Sequence, residues 1–217
     1  MKRTTEGLIQ TYKNPIIHQI ILRFNGDCTI SFLNGTEKTW RIPCDPVYIE
    51  QYGIPLSADG RFMAIPSWEM GISVYSTKTG ALLWKHLSKK IQQVFFYQDS
   101  IAAVKYGESI FQLNLADGHK MREIRSSSIE AAYDLRDGLV LVCSIKGKYS
   151  LIHMNDFTIV RQFSKSTIDP NKCLSTVITG ATVENGKIIM HGFEYGSNMD
   201  PADRESRTFQ RVLCEIE

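Results

Sequence analysis

Residues 71–88 read GISVYSTKTGALLWKHLS. Two apolar runs, Ile72–Tyr75 and Ala81–Leu87, flank Thr77-Lys78-Thr79-Gly80. That is the pattern of two strands joined by a tight turn ending in glycine. One hairpin is weak information, so recurrence decides the fold. A shift of 38 residues carries Gly80 onto Gly118, Ile72 onto Ile110 and Tyr75 onto Leu113, within SIFQLNLADGHKMREI. A further 39 carries Asp117 onto Asp156, Met121 onto Val160 and Ile124 onto Phe163, within KYSLIHMNDFTIVRQF.

Extended backward, the first hairpin belongs to IPLSADGRFMAIPSWEMGISVYSTKTGALLWKHL. Turns at Ala58-Asp59-Gly60, Trp68-Glu69-Met70-Gly71 and Thr77–Gly80 separate strands expected at 61–66, 72–76 and 81–87. An earlier strand is expected at 47–56, giving a four-stranded antiparallel meander. Upstream, CTISFLNGTEKTWRI supplies another hairpin around Asn34-Gly35. Self-similarity near 40 residues, four strands to a unit, points to a single all-β domain, a β-propeller. A β-sandwich with regular turns is the competing architecture, and the shared order of turn types argues against it.

Residues 54–88 resemble a WD-repeat or quinoprotein-type blade. Ala58-Asp59-Gly60-Arg61 stands at that family's strand-joining turn, and Thr79-Gly80 with Trp84 at its outer hairpin. Tyr75-Ser76 replaces the Trp-Asp dipeptide of WD repeats, and no Gly-His pair precedes the blades. Counting units along the 217 residues gives five blades of four strands, at about 6–45, 46–88, 89–127, 128–172 and 173–217. The last of these lacks a fourth strand in the sequence pattern, and Gly7–Tyr12 is the segment expected to pair there and close the ring.

With 217 residues, 43% of them hydrophobic, the chain is long enough to bury a core. A net charge of +2 gives no reason to expect a nucleic-acid or membrane partner. No apolar run approaches the ~20 residues that span a bilayer. No secretory signal follows the basic start, and Cys28, Cys44, Cys143, Cys173 and Cys214 are odd in number and widely spaced. The expected setting is the cytoplasm, with free thiols.

The chemistry-bearing residues are sparse in pattern. His18, His86, His119, His153 and His191 show no metal-ligand spacing, and no phosphate-cradling loop or nucleophile elbow occurs. No cofactor, metal or catalytic residue is therefore expected. The enzymatic alternative is a glycosidase-like or carbohydrate-binding propeller using Glu50, Glu130 and Asp134 on inner strands as acid and base.

Two long loops stand out, SKSTIDPNK at 164–172 and EYGSNMDPADRES at 194–206. Asp200-Pro201 followed by Asp203 reads as the start of a short helical turn. Both loops should share a face with the Trp68 turn. The expected protein-binding surface runs from Trp68, Glu69 and Met70 to Tyr195, Met199, Asp200 and Arg204. The function expected is non-catalytic protein binding. In size and missing motifs the chain resembles a bacterial immunity protein that neutralises a cognate toxin domain. An adaptor subunit of a larger complex is the sibling reading.

Overall fold

A computed structural model describes residues 2–42, 49, 52–135, 138–164, 175–195 and 207–216. By internal contacts the chain divides into two compact units, Met1–Arg125 and Ser126–Glu217. The described residues are all-β, forming five antiparallel sheets.

Three sheets lie in the first unit. Sheet 1 runs β1 (Lys2–Arg3), β2 (Gly7–Thr11), β3 (Ile17–Arg23), β4 (Asp27–Phe32) and β5 (Glu37–Arg41), in that spatial order. Sheet 2 holds β6 (Phe62–Ser67), β7 (Gly71–Ser76) and β8 (Leu82–His86). Sheet 3 is β9 (Ile91–Tyr97), β10 (Ser100–Lys105), β11 (Ser109–Asn114) and β12 (Lys120–Arg125). In the second unit, sheet 4 is β13 (Ile129–Asp134), β14 (Leu139–Ser144), β15 (Lys148–His153) and β16 (Thr158–Ser164). Sheet 5 is β17 (Ser175–Glu184), β18 (Lys187–Tyr195) and β19 (Arg207–Glu215).

Four strands per sheet therefore holds for sheets 3 and 4 and fails elsewhere among the described residues. The strand expected at 47–56 is the clearest correction. Ile49 and Tyr52 are helical, and only Leu56 bridges to Met63 of β6. The reason is local. Gly53 takes φ +83° and donates its N–H to the Ile49 carbonyl at 2.7 Å, a left-handed helix end, and Pro55 follows. The proposed closing strand is corrected too: β2 lies between β1 and β3, so Gly7–Thr11 is committed within sheet 1.

The repeat itself is realised in register. In sheet 2 the pairing slips between Val74 and Tyr75, leaving Leu83 as an extra residue on β8. In sheet 3 it slips between Gln112 and Leu113, leaving Met121 extra on β12. In sheet 4 it slips between Leu151 and Ile152, leaving Val160 extra on β16. These are β-bulges at one equivalent position of three successive last strands. Lys90 and Ser128, each just before an inner strand, both adopt positive φ, and their carbonyls accept from Tyr106 and Ile145 at 2.9 Å.

Sheets bury one another's faces because apolar residues occupy both sides of the middle strands. Between sheets 1 and 2 the core includes Leu8, Ile20, Leu22, Ile30, Met63 and Ile65. Between sheets 2 and 3 it includes Ile72, Val74, Trp84, Ile101, Phe111 and Leu113. Leu141, Leu151, Ile188 and Met190 centre the core of the second unit.

One device docks neighbouring sheets in the first unit. Trp40 of β5 lies flat against Gly80 in the β7–β8 turn, where any Cβ would overlap the indole. Trp84 of β8 repeats the contact on Gly118, in the β11–β12 turn, and donates its Nε1–H to the Leu115 carbonyl at 2.7 Å. Both glycines take φ +72°, so the turn and the docking each require glycine.

Candidate functional site

The sequence-derived surface divides into described and undescribed parts. Trp68, Glu69 and Met70 form the β6–β7 turn, and Tyr195 ends β18. Met199, Asp200 and Arg204 lie outside the described residues, as do Glu50 and the expected helical turn at Asp200-Pro201. Trp68 is half-buried, its ring 5.6 Å from Tyr106 at 48°, and its carbonyl accepts from Lys90 N–H at 2.6 Å. Much of the indole is therefore committed to packing sheet 2 on sheet 3. Met70 stays 44% exposed. Around the aromatic pair, Glu69 faces Lys89 at 3.6 Å, and Glu108 bonds Lys105 at 2.5 Å and Lys90 at 3.1 Å. Those lysine contacts hold the Glu108 carboxyl below its usual value.

At the opposite end of sheets 2 and 3 lies a cleft that the sequence reading did not find. Its volume is about 820 Å³. Four partly exposed apolar side chains form its floor: Phe62, Leu83, Phe96 and Leu115. Phe62, Phe96 and Leu115 pack on the core between the two sheets, while Leu83 is the bulge residue of β8 and is 46% exposed. The bulge thus turns a leucine outward that regular pairing would have placed otherwise.

The rim is polar and braced. The Asp59 carboxylate accepts from Ser57 Oγ at 2.7 Å and from Arg61 N–H at 3.0 Å, and it is ion-paired with the Arg61 guanidinium. Partial burial works to raise the Asp59 pKa, but the bonds from Ser57 and Arg61 outweigh it and hold the carboxyl below its usual range. Arg61 also lies over the Phe62 ring at 5.5 Å. From sheet 1, Asn14 donates to the Ser57 and Ala58 carbonyls at 3.3 and 3.1 Å. Thr77 Oγ1, fully buried, donates to the Gly60 carbonyl at 2.6 Å. On the far wall Leu115 N–H donates to the Asp99 carbonyl at 3.0 Å. These bonds fix the turns that border the cleft before any ligand arrives.

Three turns distant in sequence build this cleft, 57–62, 96–99 and 114–116, with Leu83 between them. The available signal was the shared offset of those turns, which places like positions side by side on adjacent blades. No grouping of three or more His, Cys, Asp or Glu suited to a metal occurs among the described residues. His86 contacts the Gly118 carbonyl at 3.2 Å and the Phe111 ring at 5.4 Å, and burial pushes its pKa down, so it serves packing as the neutral imidazole. In the second unit Glu130 and Asp134 stand on β13, both with surface open to solvent, and protein packed around the rest of the Asp134 carboxyl partly desolvates it and pushes it up to about 6.

No protein-family model and no curated protein sequence matches the chain. Solved structures do. The chain is similar to BamB from Moraxella catarrhalis, with a TM-score of 0.61 at 13% identity, over 95% of this chain and 66% of that one. It thus spans just under two thirds of that relative's length. It is also similar to the β-propeller domain of Cps50 (Swd1) from Myceliophteria thermophila, with a TM-score of 0.58 at 11% identity, over 96% of this chain and 72% of the other. The fold is therefore that of a β-propeller, in keeping with the five antiparallel sheets.

Proposed function

We propose that this protein is a non-catalytic, protein-binding β-propeller that engages its partner through turns at the ends of the sheets. The observation that carries the reading is the cleft between sheets 2 and 3, an apolar floor ringed by polar turn residues. An apolar centre within a polar rim is the usual anatomy of a protein contact patch. Its walls are held by hydrogen bonds within the protein, which lowers the ordering cost of binding.

At the other end of these sheets, exposed Met70 and Glu69 beside the Trp68–Tyr106 pair favour a second contact area. The narrower form of the proposal is an immunity protein whose partner is a cognate toxin domain, acting in the cytoplasm. Size and the lack of catalytic motifs in the sequence support it.

The test is capture and cross-linking. Full-length protein is immobilised, exposed to lysate of its source cells, and cross-linked partners are identified by mass spectrometry. A specific partner, cross-linked to residues near 57–62 or 68–70, is expected. Failure to retain any protein beyond what an unrelated propeller retains would refute the reading. Survival of cells that express a candidate toxin together with this chain tests the narrower form.

A further inference from the structure

The occupant of the cleft follows from its shape and charge, granted that the protein is a binding module. We propose that the cleft takes an extended peptide segment of the partner, one that sets a bulky apolar side chain next to a lysine or arginine. Three observations carry this. First, about 820 Å³ exceeds what one side chain fills and lies within the roughly 300–1,000 Å³ of ligand clefts in general. The cleft lies between two sheets and is open to solvent. Small-molecule sites enclose most of their ligand, whereas an open cleft suits a chain that continues beyond it.

Second, Leu83 and the rings of Phe62 and Phe96 leave apolar surface to be covered, which selects a large apolar side chain. Third, the charges on the rim do not cancel. Asp59 and Arg61 are closed on each other. Asp99 is exposed at the tip of the β9–β10 turn, and among the described residues no cation pairs with its carboxylate. The cleft therefore carries one uncompensated negative charge beside its apolar floor, and the complementary ligand places a cation there. The exposed Gln98 amide, next along the same turn, can both donate to and accept from a peptide backbone.

The probe is a phage-displayed library of random heptapeptides selected on the full-length protein, with affinities of enriched peptides measured by fluorescence polarisation. Enrichment of sequences that pair Leu, Phe, Ile or Met with Lys or Arg is expected. Asp99→Lys should weaken the selected peptide at least tenfold and Leu83→Glu should abolish its binding. Both side chains are exposed, so unchanged melting temperatures of the variants establish that the fold is intact. Enriched peptides without a basic residue, no enrichment at all, or binding indifferent to both substitutions would overturn the proposal. Lysate capture repeated with Leu83→Glu separates this proposal from the broader one. A partner retained equally by the variant leaves protein binding standing and removes the cleft as its site. A wild-type protein that captures nothing removes both.

Discussion

Replacing Gly118 by alanine tests whether the docking of Trp84 is as tight as it looks. Gly118 has φ +72°, and an alanine Cβ there would sit 2.5 Å from Cε3 of Trp84. The left-handed backbone alone costs an L-residue about 1–2 kcal/mol. Overpacking against a ring that is 9% exposed and anchored through its Nε1–H adds about 1–3 kcal/mol. The sum is a loss of roughly 2–5 kcal/mol. Gly107 provides the control, because its φ is +74° and nothing lies within 4 Å of its Cβ position. Gly107→Ala should cost only the backbone part, about 1–2 kcal/mol. A urea-unfolding cycle followed by circular dichroism isolates the ring. In a Trp84→Leu background the obstacle is gone, and Gly118→Ala should fall to the cost of the control, giving a coupling of about 1–3 kcal/mol. Equal costs for Gly118→Ala and Gly107→Ala, or for Gly118→Ala in both backgrounds, would refute the reasoning.

Two further outcomes follow from charge. Desolvation lifts the Asp134 carboxyl to about 6 in the folded protein, above the ordinary value of about 3.9 in the unfolded chain. Between those values the folded state holds the extra proton, so the contribution of this one group is full below about pH 4 and declines as pH rises through 6, reduced by the contact of Asp134 with water; Asp134→Asn should remove that component of the slope in melts taken from pH 4 to 7. On sheet 5, Glu194 and Arg211 form an ion pair whose side chains are 11% and 21% exposed. Arg211→Met should destabilise by about 3 kcal/mol by stranding the carboxylate, and adding Glu194→Met should restore most of it, as read by urea unfolding.

The meander pattern was legible because hairpin chemistry is local. Thr77–Gly80 and Asp117-Gly118 close turns between the strands they were expected to close, and the 38-residue offset holds down to the bulge positions at Tyr75 and Leu113. Residues 47–56 misled because Ile49, Ile54 and Leu56 are apolar in either a strand or a helical turn. The positive φ at Gly53 decided between them. Trp68 was legible as a residue in a turn, but its contact with Tyr106 depends on the neighbouring sheet. The cleft escaped notice for the same reason. Phe62, Leu83, Phe96 and Leu115 are each unremarkable in their own hairpins, and only stacking of sheets 2 and 3 makes them neighbours.

The recurring slips in β8, β12 and β16 bear on how this protein behaves in crowded solution. An outermost strand with a break in its ladder is a poor template for a strand from another molecule. β5 pairs with β4 without a slip, and Glu37, Lys38 and Arg41 stand on it as exposed charges instead. The borders at β8, β12 and β16 are thus guarded by geometry, and the one at β5 by charged side chains of both signs that would have to shed water before another molecule's strand could pair there. Replacing Glu37, Lys38 and Arg41 together by uncharged residues should open the first sheet, and none of those three, to self-association.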